Sequence, residues 1–306
     1  MISVGTKPAA LALTPDETEL YVADSGDDAV HVVQTARNQV TGRIPLGCAP
    51  EAIAILADGS AALVGCNTGV CVISLRTRAV TRISTRPARD LAVAHDSKIA
   101  YLAEQTAGLW KLDIVSRQLF QIDPLPRAMN LALTPDGKYL YVNYQQSGPG
   151  GRPGHDAIGK FDAKTGRFLH AITGLANVGD ALALSPDGLR LWADGEDACA
   201  SPAYDHLGCP AVPAGVVNII DTAADRLVRS VPLVSRAFPG FVKFSPDGRF
   251  VVVNGGGPRF IDAGTFATLA ALPDLTMNAL VLLHDGRRAY VALKENRVAV
   301  LDIERR

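Results

Sequence analysis

The chain repeats one sequence pattern seven times, and this repetition limits its fold more strongly than any other feature. Each copy combines an alternating apolar stretch, a turn of the Pro-Asp-Gly type and a stretch of β-branched and aromatic residues, as in "NLALTPDGKYLYVNY" (130–144). Alternating apolar residues predict half-buried β-strands, and the turn predicts a tight hairpin between them. The turn aspartate recurs about every 40 residues, a period typical of repeat architectures, at Asp16, Asp58, Asp96, Asp136, Asp187, Asp247 and Asp285.

Each repeat has room for four short strands. A third apolar stretch and a fourth, shorter one follow the hairpin, as in "VHVVQ" and "QVTGRI" of the first copy. Four short antiparallel strands per unit at this period are typical of a β-propeller blade. Hydrophobic residues make up 48% of the 306 residues, which is enough for a sizeable core. The pattern therefore predicts an all-β fold, a single seven-bladed β-propeller domain of four-stranded antiparallel blades over residues 1–306.

The last repeat lacks a fourth strand of its own, because the chain stops at "LDIERR" soon after the third. Near the N-terminus, Ile2 precedes Pro8 by the same spacing as Ile44 precedes Pro50 at the end of the first repeat. We therefore expect the N-terminal strand to complete the last blade and to cover a sheet edge that would otherwise be open.

Three segments, "LALTPDGKYLYVN", "TPDETELYVADSGDDAVHVV" and "SPDGRFVVVNGG", resemble the repeats of YVTN-type seven-bladed β-propellers, and the resemblance covers essentially the whole chain. That family includes surface-layer and extracytoplasmic proteins, and related seven-bladed propellers include lactonases, streptogramin lyases and quinoprotein-like subunits. The resemblance implies the fold, leaves several activities open and favours a periplasmic or cell-surface location. The first residues, "MISVGTKPAA", lack the charged and apolar segments of a signal peptide.

The overall charge limits the classes of partner. A formal net charge of −1 argues against a nucleic-acid partner, since phosphate binding needs a cationic face. No apolar run approaches the roughly 18 residues of a membrane-spanning helix. A small polar molecule, a protein surface or a glycan remain as partners.

The five cysteines leave two interpretations open. In the first, Cys66 and Cys71, which flank a tight turn, form a disulfide. In the second, Cys48, Cys66 and Cys71 are all small reduced side chains. Cys199 and Cys209 lie in one polar segment, where a disulfide is favoured. Neither spacing resembles a Cys-x-x-Cys zinc site.

Two long insertions interrupt the repeats. Both the segment "QQSGPGGRPGHD" (145–156) and the segment 194–215 fall between the second and third strands of a blade, in the fourth and fifth repeats. The order of strands places such loops at the end where neighbouring blades are joined. We expect these two neighbours to cover a site at the mouth of the central channel, because loops on a rigid scaffold often carry function.

Polar residues replace apolar ones in the same sector. Lys243 occupies an innermost-strand position that is Ala or Val in the six other repeats. Asn143, Asp194 and Asn254 stand where the remaining repeats have Ala or Gly. A cluster of polar groups in one concave place predicts a binding pocket. The predicted ligand-binding residues are Asn130, Asn143, Asn254, Arg89, Asp90, Arg127, Glu51 and Asn278.

Several of these polar side chains suit acid/base catalysis or metal binding. Asp180 or Asp194 near Lys243 would form an ion pair or a general base whose pKa the cation sets. His155 and His206, one in each insertion, would form an acid/base pair above the pocket. Asp194, Glu196 and Asp197 would offer oxygen ligands to a divalent cation such as Ca²⁺, although their spacing matches no ordered metal motif.

Two functions follow from these features. The first is a pocket for a small polar molecule under the two insertions, with hydrolase or lyase chemistry. The alternative is a non-catalytic propeller that binds a protein or a glycan, as the YVTN resemblance implies. Fold alone does not choose between them.

Overall fold

The structure is a computed structural model that describes residues 1–125, 127–147, 153–175, 177–196, 215–233, 240–254 and 257–304. Within these ranges the side chains at 145–147, 153–156, 177, 180 and 196 lie outside the description. All regular elements of the described ranges are β-strands, 28 in number, and they form seven four-stranded antiparallel sheets. The predicted seven-bladed β-propeller is therefore confirmed.

The first 124 residues contain β1 and three complete blades. The strands are β1 (Ile2–Ser3), β2 (Pro8–Leu13), β3 (Glu19–Asp24), β4 (Ala29–Gln34), β5 (Gln39–Pro45), β6 (Pro50–Ile55), β7 (Ala61–Cys66), β8 (Gly69–Ser74), β9 (Val80–Ser84), β10 (Asp90–Val93), β11 (Ile99–Glu104), β12 (Gly108–Asp113) and β13 (Leu119–Asp123). Blade 1 is β2–β5, blade 2 is β6–β9 and blade 3 is β10–β13, each a simple meander.

The next three blades follow the same order. Their strands are β14 (Leu131–Leu133), β15 (Tyr139–Ser147), β16 (Pro153–Asp162), β17 (Phe168–Ile172), β18 (Asn177–Leu184), β19 (Arg190–Glu196), β20 (Gly215–Asp221), β21 (Arg226–Leu233), β22 (Val242–Phe244), β23 (Phe250–Asn254), β24 (Pro258–Asp262) and β25 (Thr268–Ala271). Blade 4 is β14–β17, blade 5 is β18–β21 and blade 6 is β22–β25.

Blade 7 joins the two ends of the chain. Its strands β26 (Met277–Leu282), β27 (Arg288–Leu293) and β28 (Arg297–Asp302) are completed by β1, in the order β1-β28-β27-β26. Ile2 pairs with Val298 and Ser3 with Arg297. The predicted role of the N-terminal strand is therefore confirmed.

The blades group into two compact units. Unit 1 comprises Met1–Pro124 and Met277–Arg306 and holds blades 1, 2, 3 and 7; unit 2 is Leu125–Thr276 and holds blades 4, 5 and 6. That residues 1–306 behave as one domain stays a prediction.

A small residue on the first strand of most blades lies opposite a large buried residue on the second. The pairs are Ala12 with Tyr21, Ala54 with Leu63, Ala92 with Tyr101, Ala132 with Tyr141, Ala183 with Trp192, Lys243 with Val252 and Val281 with Tyr290. This alternation of small and large side chains gives the close packing that a sheet interface requires. The register read from the repeat is thus the register of the structure.

In unit 1 the large residue also holds the neighbouring blade. Tyr290 of blade 7 donates a hydrogen bond from its hydroxyl to Oδ1 of Asn38 in blade 1 at 2.9 Å. The guanidinium of Arg78 in blade 2 lies 5.1 Å from the ring centre of Tyr21 in blade 1. Asn38 and Arg78 occupy the turns between the third and fourth strands of their blades and have φ values of 52° and 62°. A left-handed residue therefore turns its side chain toward the preceding blade at both junctions.

Unit 2 has the same arrangement. The Tyr141 hydroxyl of blade 4 donates to Oδ1 of Asp225 in blade 5 at 3.1 Å. The rings of Trp192 in blade 5 and Phe266 in blade 6 have centroids 6.0 Å apart. Asp225 and Phe266 are again left-handed turn residues, with φ values of 48° and 63°. Within each unit, these contacts join consecutive blades at the end where the turns lie.

The repeated turn aspartates organise the hairpins, as the sequence suggests. In blade 4, Oδ1 of Asp136 accepts hydrogen bonds from the Thr134 hydroxyl at 2.7 Å and from the Lys138 N–H at 3.0 Å. Asp16 has the same partners in blade 1, Thr14 and Thr18. Hydrogen bonds to the ionised form favour it, so the pKa of each carboxyl lies below its usual value.

Replacing Asp136 by asparagine is expected to reduce the acid sensitivity of the fold. The hydroxyl of Thr134, followed by the Lys138 N–H, lowers the pKa of Asp136 from 3.8 to about 2. The unfolded chain therefore binds this proton at a higher pH, so the stabilisation is present above about pH 4 and is lost as the pH falls toward 2. Urea unfolding at several pH values should show a shallower loss of stability between pH 4 and 2 in Asp136→Asn. The exposed Asp274→Asn serves as the charge-matched control, and equal slopes in the two variants would contradict the expectation.

Candidate functional site

The two insertions begin as extensions of the strands that carry them. Strands β15 and β16 continue beyond the usual blade length, with Gln145 paired to Asp156, and β19 and β20 continue to the pair Glu196–Gly215. The ends of β15, β16, β19 and β20 carry residues 145–156 and 194–215. We refer to these strand ends together as the insertion end of unit 2. Residues 148–152 and 197–214 lie outside the described residues. The prediction that both insertions join second and third strands is confirmed.

Asn143 is buried at the insertion end and is bonded to backbone on both sides. It is 2% exposed. Its Oδ1 accepts a hydrogen bond from the Asn130 N–H of the same blade, and its Nδ2 donates to the Gly179 carbonyl of blade 5. The amide therefore joins blade 4 to the segment that leads into blade 5.

Asp194 makes the equivalent connection one blade later. Its side chain is fully buried. Oδ1 accepts from the Ala181 N–H at 2.7 Å within blade 5, and Oδ2 accepts from the Gly240 N–H at 2.9 Å in the segment leading into blade 6. A Cβ on Gly179 would come within 2.6 Å of this carboxylate, so a glycine is needed beside it. Bonds to both oxygens and complete burial are the properties of a structural carboxylate rather than of a base exposed to substrate.

Gly65, at the equivalent position in blade 2, shows why Asn143 and Asp194 are polar. A Cβ on Gly65 would lie 2.6 Å from the Ala88 carbonyl, so the segment leading into blade 3 packs directly against the glycine. At Asn143 and Asp194 a polar side chain bridges to the corresponding segment instead. Buried backbone groups need partners, and these side chains supply them. The position therefore faces the next blade.

Lys243 differs from these two residues because its side chain is exposed. It lies in the middle of β22, opposite Val252, while its neighbours Val242 and Phe244 are buried. The ammonium thus reaches solvent from the innermost strand of blade 6, which removes the cost of a buried charge. Lys243 departs from the repeat in the sequence, and its side chain is exposed in the structure.

The remaining predicted ligand-binding residues of unit 2 differ in exposure. Asn130 and Asn254 are half-buried, and Arg127 is exposed with a left-handed φ of 51°. The Asn254 N–H donates to the Phe241 carbonyl at 3.0 Å, which places its side chain at the end of β23. Asn130 lies just before β14 of blade 4, and Lys243 and Asn254 lie on the first two strands of blade 6.

Four predicted ligand-binding residues belong to unit 1. Arg89 and Asp90 are half-buried before and within β10, and Glu51 on β6 is exposed. Oδ1 of Asp90 accepts from the Leu91 N–H at 2.9 Å. Nδ2 of Asn278 donates to the Pro8 carbonyl at 2.8 Å, which joins blade 7 to blade 1. Asn278 thus acts as Asn143 does, as a bridge between consecutive blades.

The other predicted catalytic and metal-binding groups fall beyond the described side chains. The structure describes only the backbone of His155, Asp180 and Glu196. Asp197 and His206 lie outside the described residues. The proposed acid/base pair and the proposed Ca²⁺ ligands stay predictions.

A charged cluster that the sequence did not reveal lies at the opposite end of blade 4. The ammonium of Lys160, a residue 7% exposed, is 2.7 Å from Oδ2 of Asp225 and 4.3 Å from the ring centre of Tyr139. His170 Nε2 is 3.1 Å from the same carboxylate oxygen. Burial, with the negative charge of Asp225 as a second cause, raises the pKa of Tyr141. Residues 157–161, "AIGKF", are all buried, so a lysine within an apolar stretch was the sign of this cluster in the sequence.

A groove of about 420 Å³ lies between the turn ends of blades 5 and 6. Its charged lining is already engaged: Arg190 pairs with Asp221 at 2.6 Å, and Asp262 accepts N–H groups of its own turn. Since β19 starts at Arg190 and ends at Glu196, the groove lies at the opposite end of that strand from the insertions. It does not belong to the predicted pocket.

The described cysteines form a pair that sequence spacing did not select. Cys48 and Cys66 are joined by a disulfide, and Cys71 is a buried free thiol. Cys66 pairs across the sheet with Gly69, and Cys71 pairs with Val64, so Cys66 and Cys71 are only diagonal neighbours. Pro50 pairs with Cys66, and this pairing brings Cys48 close to Cys66. A disulfide is therefore present, but the Cys66–Cys71 pairing is wrong; of the three side chains that the alternative left reduced, only Cys71 is reduced. Cys199 and Cys209 lie outside the described residues.

Comparisons with known proteins support the fold and no finer identity. Neither a protein-family model nor a curated protein sequence matches the chain. Among solved structures, Kuenenia stuttgartiensis hydrazine synthase is similar, with a TM-score of 0.80 and 18% sequence identity over 97% of this chain and 96% of that chain. At this identity the similarity shows the β-propeller fold alone. The part of the chain that the structure describes contains no helix long and apolar enough to cross a membrane.

Proposed function

We propose that unit 2 binds a small polar molecule against the first two strands of blade 6 and the start of blade 4, and that residues 145–156 and 194–215 cover it. The observation that carries this proposal is the exposed ammonium of Lys243 on the innermost strand of blade 6. The six other blades have Ala or Val at this position. A lysine side chain on a rigid strand, exposed to solvent where the other blades have a small apolar residue, suits a polar ligand with an anionic group.

The buried polar residues support this site indirectly. Asn143 and Asp194 hold the segments that lead into blades 5 and 6, because each bonds to backbone on both sides. In the proposal they set the spacing of blades 4, 5 and 6. Lys243, Asn130 and Asn254 then contact the ligand.

The reaction class we propose is hydrolysis or elimination, in line with the resemblance to lactonases and lyases. The Lys243 ammonium would stabilise negative charge that develops on a carbonyl oxygen. Asp180, His155 and His206 are the proposed proton carriers, and Asp194 is assigned to the scaffold. A divalent cation held by Glu196 and Asp197 is a further proposal for the same end of unit 2.

Calorimetric titration with inorganic phosphate, gluconate and gluconolactone tests the site. Lys243→Ala should weaken binding of the anionic probes about tenfold or more, the effect of losing one charged contact of roughly 1.4 kcal/mol. Lys138→Ala is the matched control, because Lys138 is an exposed lysine of the same unit in a turn of blade 4. Hydrolysis of gluconolactone by the native chain, lost in Lys243→Ala, would support the catalytic part.

Two results would contradict the proposal. One is that the native chain binds none of the probes, and the other is that Lys243→Ala and Lys138→Ala bind them equally well. If, in addition, removal of residues 197–212 abolishes binding to a protein or glycan, the non-catalytic interaction propeller is favoured.

A further inference from the structure

We propose that the reduced chain binds one soft metal ion, copper(I), through the thiolates of Cys48, Cys66 and Cys71. The three Sγ atoms all lie within 4.8 Å of one another in unit 1. The residues are 4%, 0% and 2% exposed. Three buried sulfur atoms this close together have the spacing of ligands to a single metal ion. The site is separate from the insertion end and does not rest on the proposed function.

The strands bring the sulfur atoms together. Cys66 ends β7 and Cys71 lies on β8, as diagonal neighbours on one face of blade 2. Cys48 precedes β6 and arrives beside them because Pro50 pairs with Cys66. Metal–sulfur bonds of about 2.3 Å in a trigonal site place the sulfur atoms about 4 Å apart. Small side-chain movements therefore suffice to form three bonds after reduction.

The donor set selects the kind of ion. No histidine or carboxylate of the described residues joins the three sulfur atoms. Structural zinc and iron–sulfur centres require four protein ligands, and calcium requires oxygen. The surrounding side chains, among them Val30, Ile44 and Val64, are apolar and buried, so water is a poor fourth ligand. Thiolates in a low-coordinate, dry site suit copper(I).

One cation lies next to the site and offsets part of its negative charge. Three thiolates and one copper(I) ion carry a net charge of −2, which is costly in an apolar core. Arg82 pairs with Cys71 across β8 and β9. Hydrogen bonds from its Nη2 to the carbonyl and hydroxyl of Thr68, at 3.0 and 2.7 Å, hold the guanidinium in place. Burial raises the pKa of the Cys71 thiol, and the positive charge of Arg82 opposes part of this effect.

The disulfide and the metal exclude each other because both need Cys48 and Cys66. A phosphine reductant breaks the S–S bond and is oxidised to its phosphine oxide; one water molecule supplies the oxygen of the oxide and the two protons of the thiols that form. Binding of copper(I) by three thiols then releases three protons to solvent. The site is therefore open to metal only in the reduced chain.

The linker between β5 and β6 offers access to the buried sulfur atoms. Gly47 in this linker is exposed and has a φ of 70°, and a Cβ added to it would meet no atom within 4 Å. Backbone bonds from Leu46 N–H to the Asp28 carbonyl and from Ala49 N–H to Oδ1 of Asn67 hold the linker. Displacement of this short segment uncovers Cys48 without separating the strands of blade 2.

Anaerobic titration with copper(I), using bicinchoninate as the competing chelator, tests the site. The protein carries Cys199→Ser and Cys209→Ser, so that only the three clustered cysteines remain, and it is reduced with a phosphine that is then removed. We expect one copper(I) per reduced chain and none per oxidised chain. Cys71→Ala should weaken binding about tenfold or more, since a ligand is lost.

Cys71→Ala also provides the folding control, because it leaves Cys48 and Cys66 able to form their disulfide. An unchanged melting temperature of the oxidised variant shows that its fold is intact. Equal copper(I) affinity with and without Cys71, or equal binding by oxidised and reduced chains, would overturn the proposal. Displacement of copper(I) by stoichiometric zinc would overturn the choice of ion.

Discussion

Replacing Asp194 by alanine is expected to lower the free energy of unfolding by about 3–5 kcal/mol, since hydrogen bonds to a charged group contribute about 1.5–3 kcal/mol each. The carboxylate is fully buried and accepts backbone N–H groups from Ala181 and Gly240. Alanine leaves both donors without this acceptor, and the Ala181 N–H is in a buried position. The change should appear as a lower urea midpoint, followed by the fluorescence of the buried Trp192.

The asparagine variant separates the charge from the hydrogen bonds. Asp194→Asn keeps one acceptor oxygen but turns an NH₂ group toward a backbone N–H, so we expect a loss smaller than that of alanine. The exposed Asp274→Ala is the control and should change stability by less than about 0.5 kcal/mol. A native midpoint for Asp194→Ala together with lost probe binding would instead assign Asp194 to the ligand site.

Replacing Lys160 by methionine is expected to lower the free energy of unfolding by about 3 kcal/mol, because Asp225 loses the cation closest to its nearly buried carboxylate. Of its described partners, Asp225 keeps His170 and the Tyr141 hydroxyl. The ammonium lies 2.7 Å from Asp225, and both side chains are nearly buried, at 8% and 14% exposure. Methionine keeps the packing of the lysine stem and removes the charge. Urea unfolding measures the difference.

A double-mutant cycle with Asp225→Asn isolates the ion pair. Asparagine tolerates the left-handed turn position and can still accept the Tyr141 hydroxyl. If the pair is the cause, adding Lys160→Met to Asp225→Asn should cost much less than Lys160→Met alone. The exposed pair Arg288–Asp302 is the control, and Arg288→Met should cost less than about 1 kcal/mol. Additive losses at Lys160 and Asp225 would contradict the assignment.

The fold could be predicted in detail because the repeat is local and redundant. Seven copies agree on where hairpins turn, so the pairing of Ala12 with Tyr21 and its equivalents follows from one alignment. The closure by Ile2 followed from a missing fourth strand and a matching spacing. Both arguments use only the order of residues along strands.

The roles of individual polar residues were harder to predict because their partners are backbone groups of the next blade. The sequence shows that Asn143 and Asp194 are polar where other blades have Ala or Gly. It does not show that Gly179 and Gly240 present a carbonyl and an N–H to them. The direct packing of Ala88 against Gly65 is the physical clue that this position faces a neighbouring blade.

The cysteines and Lys160 were missed for a related reason. Sequence distance favours Cys66 with Cys71, but the sheet register makes that pair diagonal and places Cys48 nearer. Lys160 finds Asp225 only because the turn of blade 5 reaches back to blade 4. Contacts of this kind depend on how blades pack, which a repeat in one chain does not encode.

The pairing of Ile2 with Val298 has a consequence for biosynthesis. The ribosome makes β1 before strands β2 to β27 and makes its partner β28 after them, so this short strand must wait while all of those strands are made. Blades 1 to 6 can each form their hairpins as they emerge, since their strands are consecutive. Ile2 and Val4, which are buried in the finished fold, stay exposed to chaperones and proteases until β28 leaves the exit tunnel.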